Sequence, residues 1–152
     1  MKRTELPRAE ALCARYLDKN RPVLAAVSGG ADSMCLLYFL REQGYDVFCA
    51  HFNHQLRGAE AARDENFVRA WCEKEGIPFY PGTGDVRAHA RATGKTEEEA
   101  GRDLRYAFLR ETAKSLGAQI ALAHHLDDNA ETVLLNLVRG TDLRGLCGMR
   151  PR

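Results

Sequence analysis

The 152-residue sequence has no C-x-x-C pair, no lysine after the glycines of its first glycine-rich turn, and no apolar run of membrane-spanning length. Each absence removes a class. Lysine and arginine number 22 against 21 aspartates and glutamates, a net charge of +1, so nothing overall draws the chain to nucleic acid; any such affinity must come from local sites. The five cysteines, Cys13, Cys35, Cys49, Cys72 and Cys147, are odd in number and lie mostly in apolar stretches. They read as free thiols of a reducing cytosol, not as a disulfide framework, a zinc site or an iron–sulfur site. The N-terminus is amphipathic and carries Glu5, Glu10 and Asp18, so it lacks the uninterrupted apolar core of a signal peptide. A cytoplasmic protein with no membrane partner is expected. H-E-x-x-H is missing, and no RRM or KH signature, internal repeat or low-complexity tract is present. The histidines His51, His54, His124 and His125 then read as polar lining at strand ends, and His89 has no assigned role.

What is present is an ordinary globular mix, 45% hydrophobic and 28% charged, in one domain with a real core. Short apolar runs alternate with longer helical periods. Residues 4–19 read as a helix with Thr4 as its cap, 22–27 as a buried strand, 32–43 as a helix ended by Gly44, and 45–52 as a second strand. Residues 59–75 are a helix stopped by Gly76; Phe67, Val68 and Trp71 on it are expected in the core. Residues 77–80 are a short strand, and 82–95 are irregular or weakly helical, with Arg87, Arg91 and Lys95 expected to be solvated. Residues 96–116 are a helix, with Thr96 and Glu99 at capping-box spacing and Gly117 at its end. Residues 118–125 are the fourth strand and 127–139 the last helix, ended by Gly140. This alternation predicts an α/β fold, a mainly parallel Rossmann-like sheet with helices on both faces. The sequence stops soon after a Gly-rich turn, "GTDLRGLCGMRPR", and reads as the front of a longer protein.

The chemistry gathers after three strands. "SGGADS", Ser28 to Ser33, follows the first. A glycine turn between strand and helix presents converging N–H groups to an anion. The Walker and dinucleotide glycine patterns are both absent. Asp32 stands where a Walker lysine would be, so either a cation such as Mg²⁺ intervenes at the phosphates, or Asp32 caps the helix. A capped turn with no ligand is the plain alternative. "HFNHQLR", His51 to Arg57, follows the second strand, and "HHLDDNAET", His124 to Thr132, the fourth. In the strand order 3-2-1-4, the first and fourth strands are neighbours, and Ser28–Ser33 and His124–Glu131 would face one crevice. Asp128 and Glu131, three apart at a helix start, share a face and can hold Mg²⁺, bind an ammonium or accept a proton. Asp127 reads as an ordinary first-turn acid. Arg102 and Arg105 share a face of the 96–116 helix. They meet phosphate, or they simply pair with Glu98, Glu99 and Asp103.

Taken together these blocks resemble the N-type ATP pyrophosphatases, the PP-loop enzymes, and within them the tRNA(Ile)-lysidine synthetase family. That family shows S-G-G-x-D-S, H-x-N-H-x-L-R, E-A-A-R-x-x-R-Y, H-H-x-D-D-x-x-E-T-x-L-x-x-L-x-R-G and G-L-x-G-M. Here they match Ser28–Ser33, His51–Arg57, Glu99–Tyr106, His124–Gly140 and Gly145–Met149. The resemblance departs at Gly101, where alanine is usual and glycine costs a helix about 1 kcal/mol. It departs also at Gln55 for glycine and Asn129 for glutamine. It implies that residues 1–152 form a catalytic PP-loop domain, and that the family's C-terminal tRNA-recognition domains are absent from this chain. The implied reaction uses ATP and Mg²⁺ to join L-lysine to the wobble cytidine of tRNA(Ile) through an adenylated base. It implies that Ser28, Gly29, Gly30, Ala31, Asp32, Ser33, His51, Phe52 and Asn53 bind ATP, with Asp32 also on the metal. Arg57, Arg102, His124, Asp128, Glu131 and Arg139 would meet lysine or tRNA, and Asp32, Arg105, Asp128 and Glu131 would carry the chemistry. A homodimer is compatible with this reading. Two rivals stand beside it: another PP-loop tRNA-modifying enzyme such as a thiolase, although thiolases often use paired cysteines, and a non-catalytic ATP-binding module.

Overall fold

The computed structural model describes residues 6–56, 58–125 and 133–138. In chain order the elements are α1 (Leu6–Tyr16), β1 (Val23–Ala26), α2 (Ala31–Glu42), β2 (Val47–Asn53), α3 (Ala59–Glu75), β3 (Phe79–Thr83), α4 (Val86–Thr93), α5 (Glu97–Leu116), β4 (Gln119–His125) and β5 (Val133–Val138). The sheet order is β3-β2-β1-β4-β5, which contains the expected 3-2-1-4. The first four strands are mutually parallel, with Val23 opposite Val47 on one side and Gln119 on the other.

Strand alternation sorts the core into two layers, because successive side chains leave a strand on opposite faces. Val23, Ala25 and Val27, with Val47, Cys49 and Ala121, pack against Cys13 and Leu17, against Leu36, Leu37 and Leu40 of α2, and against Val68 and Cys72 of α3. Leu24, Ala50, Ile120 and Leu122 pack on the other face against Tyr106, Leu109 and Ala113 of α5. Helices therefore cover both faces, as the near-continuous apolar strands require. Gln119, 2% exposed at the start of β4, is tied down by its side chain. Its amide accepts from Asp18 N (2.9 Å) and donates to Asp18 O (2.9 Å), fixing the turn that feeds β1.

The helix ends follow the sequence. Thr96 and Glu99 form the reciprocal capping box, and Gly76 and Gly117 close α3 and α5 in the left-handed conformation. Thr4 and Gly140 lie outside the described residues. Three expectations need correction. The stretch 82–95 contains a true helix, α4, capped by Asp85, whose side chain accepts from Ala88 N at 2.9 Å. Phe67 is not core: it is 53% exposed, while Val68 is fully buried and Trp71 packs partly against the same layer. The helix expected over 127–139 is not formed at its C-terminal half. Val133–Val138 runs as a strand antiparallel to β4, with His125 opposite Val133 and Ile120 opposite Val138. A segment of five branched apolar residues and Asn136 suits either state, and here the open edge of β4 supplies backbone partners.

Candidate active site

The carboxyl ends of β1, β2 and β4 open into one cavity of about 630 Å³. Its wall includes Ser28 and Ser33 from the glycine turn, His51 to Leu56 from the second strand end, Leu122 and Ala123 from β4, and Gly101, Arg102 and Arg105 from α5. Neighbouring parallel strands make this geometry. Continuing the β1–β2 and β1–β4 registers two residues past the paired segment sets Phe52, Ser28 and His124 in one row. Ligands collect at such strand ends where the chain order reverses.

The glycine turn is a closed ring of hydrogen bonds. Ser33, 6% exposed in the first turn of α2, donates its hydroxyl to Gly30 O (2.9 Å) and accepts from Ser28 N (3.1 Å). With Ser33 donating to Gly30, the 3.1 Å contact between the two hydroxyls has Ser28 as donor, and Ser28 Oγ accepts from Gly30 N at 3.3 Å. Gly29 has φ +96°, and a Cβ there would stand 3.3 Å from Asp64 Cβ on α3. Backbone handedness and close approach both call for glycine. Asp32 sits two residues after Gly30, the N-cap residue of α2, which has no side-chain cap hydrogen bond. Asp32 is thus a first-turn acid and not the cap. Magnesium is held in many nucleotide sites by one or two carboxylates plus substrate phosphates. A carboxylate beside this turn fits that pattern, and no group of three or more metal-ligating side chains occurs among the described residues.

At the second strand end, His51 is 4% exposed and its Nδ1 donates to Val27 O at 2.8 Å, tying β2 to the base of the turn. The carbonyl can only accept, so the proton is on Nδ1. Asn53 spends its side chain on local structure, donating to Glu65 (3.3 Å) and accepting from Gln55 N (2.8 Å). That contact shapes a turn in which Gln55 takes φ +56°, the one positive φ outside glycine among the described residues. Phe52 packs on Phe108, centroids 5.7 Å apart, and meets His54 edge-on at 5.0 Å.

On α5, Arg102 and Arg105 flank the ring of Tyr106, their guanidinium carbons 5.3 and 5.1 Å from its centroid. Arg105 Nε is buried with no hydrogen-bond partner among the described residues. The expected ion-pair face dissolves: Asp103 pairs instead with Lys95, and Glu99 is occupied by the Thr96 cap. Arg87 pairs with Glu97 at 3.5 Å on the surface, and His89 approaches Asp103 at 3.9 Å. Two cations at a cleft wall, one with an unmet donor, suit an anionic ligand.

The structure therefore brings together Ser28, Ser33, His51, Phe52, Asn53, Arg102 and Arg105 on one wall, with Gly29, Gly30, Ala31 and Asp32 on the adjoining turn. His124 lies at the carboxyl end of β4. Arg57, Asp128, Glu131 and Arg139 lie outside the described residues. Sequence reasoning missed Asp64, and Glu98 as a cavity wall, while His54 lines the cavity as expected of a strand-end histidine. Asp64 carried no local signal.

The chain is 47% identical over 139 residues to a tRNA(Ile)-lysidine synthase of Parabacteroides distasonis, covering 91% of this chain and 32% of that protein. It is 46% identical over 134 residues to one of Dehalococcoides mccartyi, covering 85% and 28%. The chain thus spans about a third of the length of the curated relatives it matches. Among solved structures it resembles an NH3-dependent NAD synthetase from Campylobacter jejuni, with a TM-score of 0.57 at 13% identity over 77% of this chain and 52% of that one. It also resembles a glutamine-dependent NAD+ synthetase from Acinetobacter baumannii, at 0.57 and 15%, over 76% and 23%. At these identities the likeness speaks to the fold alone. The PP-loop domain family matches residues 3–152, from the first helix through the serine–glycine turn to the end of the sequence, and the chain belongs to that family.

Proposed function

We propose that residues 1–152 act as the catalytic domain of a cytoplasmic ligase that uses ATP to attach L-lysine to the wobble cytidine of tRNA(Ile). The observation that carries the reading is the convergence of the closed Ser28–Ser33 ring and the Arg102–Arg105 pair on one cavity, in a chain so similar to proteins of that name. The base O2 attacks the α-phosphorus of ATP and pyrophosphate leaves. The lysine amine then attacks C2 of the adenylated base, and AMP leaves.

Ser28, Gly29, Gly30, Ala31 and Ser33 receive the departing pyrophosphate through N–H and hydroxyl donors. Both hydroxyls are satisfied within the ring, so nucleotide binding exchanges internal hydrogen bonds for phosphate ones. His51, Phe52 and Asn53 border the adenine. Asp32 would hold Mg²⁺, which when bound offsets charge growing on the leaving group. Arg105, its Nε unmet and its guanidinium steadied on Tyr106, faces the α-phosphate, while Arg102, more exposed, meets tRNA or nucleotide phosphate. Arg57, His124 and Arg139 are assigned to lysine or tRNA. Asp128 and Glu131 are assigned to the lysine ammonium, one of them taking its proton. Two copies of the chain pairing is part of the same proposal.

The test is ATP-dependent incorporation of radiolabelled lysine into tRNA(Ile) bearing a wobble cytidine. Asp32→Ala, Arg105→Ala, Asp128→Ala and Glu131→Ala should each lower the rate about 100-fold or more. Full activity in Asp32→Ala removes its metal role. ATP binding with no pyrophosphate release on adding tRNA and lysine to the full-length protein favours a binding module instead.

A further inference from the structure

His54 is a cavity-wall residue whose position depends on a missing side chain. An ideal Cβ built on Gly101 would stand 2.9 Å from His54 Nδ1 and 3.3 Å from its Cε1. The first distance is one that real Cβ atoms do not adopt, so the imidazole occupies space that any residue other than glycine would claim. On its other side the ring meets the Phe52 ring at 5.0 Å, interplanar angle 76°. The imidazole is therefore wedged between strand β2 and helix α5, half-buried, with the cavity as its open side.

The charge around it is mixed. Arg105 on α5 and His51 on β2 act on it directly, and Arg102, Glu97 and Glu98 of α5 and Asp64 of α3 share the cavity. Burial, then Arg105, then His51 hold His54 below the ordinary histidine range, so it is neutral while the cavity is empty. A phosphate set against Arg105 cancels the nearest positive charge and adds a negative one. Both changes favour a protonated imidazole.

We propose that His54 is a ligand for the phosphates of the bound nucleotide, seated by Gly101, and that it takes up a proton as they arrive. The proposal rests on the cavity being a nucleotide site. The proton comes from solvent and remains on the imidazole; no covalent bond changes.

The experiment is calorimetric titration of the chain with α,β-methylene-ATP, which cannot be cleaved between those phosphates, near pH 7 in buffers of different ionisation enthalpy. Wild type should bind with a fractional proton uptake, seen as a buffer-dependent heat. His54→Gln should abolish the uptake and weaken binding by about tenfold, the scale of one charge-assisted hydrogen bond. Gly101→Ala should weaken binding comparably by displacing the ring, and His54→Ala/Gly101→Ala should bind no worse than His54→Ala alone. Thermal midpoints and circular dichroism spectra establish that each variant is folded. If wild type binds but His54→Gln keeps both affinity and proton uptake, His54 is no ligand and this inference falls alone. If the Gly101→Ala loss adds in full to that of His54→Ala, the seat is overturned. If wild type does not bind the analogue, the nucleotide reading falls with it.

Discussion

The hydroxyl of Ser33 holds three contacts at once, and this is what makes the glycine turn rigid before any ligand arrives. It donates to Gly30 O, accepts from Ser28 N and meets Ser28 Oγ. Ser33→Ala removes the side-chain partner of Ser28 N and one of the two donors to Gly30 O, which keeps Met34 N, and should cost about 1 kcal/mol in urea unfolding, with weaker ATP binding on top. Gln55 presents the opposite case. It holds φ +56°, a conformation that costs residues other than glycine or asparagine about 1–2 kcal/mol. Gln55→Gly should therefore leave stability unchanged or raise it by up to about 1 kcal/mol, against the usual cost of adding glycine. A clear loss by chemical denaturation would contradict the strain. His54 supplies a pH dependence. Its pKa is lower in the fold than the ordinary 6.5, so below that value the unfolded chain binds a proton that the fold resists. Stability should fall as pH drops through about 6.5, and urea midpoints at about pH 7.5 and 5.5 should separate less in His54→Gln than in wild type.

Helix α5 shows how one element serves both fold and site. Its start is fixed by the Thr96–Glu99 box, its inner face by Tyr106, Leu109 and Ala113, and its cavity face by Gly101, Arg102 and Arg105. Spacing decides this: residues 102 and 105, or 106, 109 and 113, fall on one side of a 3.6-residue period. Thr96→Ala removes the reciprocal cap and should cost about 1 kcal/mol by thermal or urea unfolding. A glycine of β3 is as specific. A Cβ on Gly82 would lie 2.6 Å from the Phe108 ring, so β3 and α5 approach closely only there because no side chain intervenes. Gly82→Ala should destabilise by about 1–3 kcal/mol through overpacking, even though alanine suits a strand better than glycine. Gly101 is the same device turned toward the cavity. Its apparent helix cost is the condition for His54 to sit where it does.

Across the whole molecule, the two-faced sheet controls which thiols can react. Cys13, Cys49 and Cys72 are buried in the layer beneath α1, α2 and α3, and Cys35 is exposed on α2. Burial pushes the Cys13 thiol up to about 11, so it is uncharged at neutral pH as well as inaccessible. Alkylation of the native protein followed by peptide mapping should label Cys35 and leave Cys13, Cys49 and Cys72 until the chain is unfolded. No helix among the described residues is long and apolar enough to cross a membrane.

Much of this was legible in the sequence, because strand and helix periods, glycine stops and the capping box are local signals. They yielded α1 through β3, α5 and β4 nearly in place, while α4 read only as irregular or weakly helical; the strand order 3-2-1-4 was a topological inference, which the sheet bears out. The serine–glycine turn announced an anion site by its residues alone. Local pattern failed where the deciding contact was distant. Val133–Val138 is apolar enough for helix or strand, and the free edge of β4 decides between them. Phe67 keeps helical phase with Trp71 yet points to solvent, because the sheet beneath α3 reaches Val68 and Cys72 first. Asp64 reaches the glycine turn, and His54 its seat on Gly101, only after crossovers bring α3 and α5 to the strand ends. The sequence by itself determined the elements and the chemistry of the turn, since both depend on neighbours a few residues apart. The tertiary structure alone decided which side chains share the cavity, since those contacts join residues tens of positions apart and exist only once the sheet has ordered its strands.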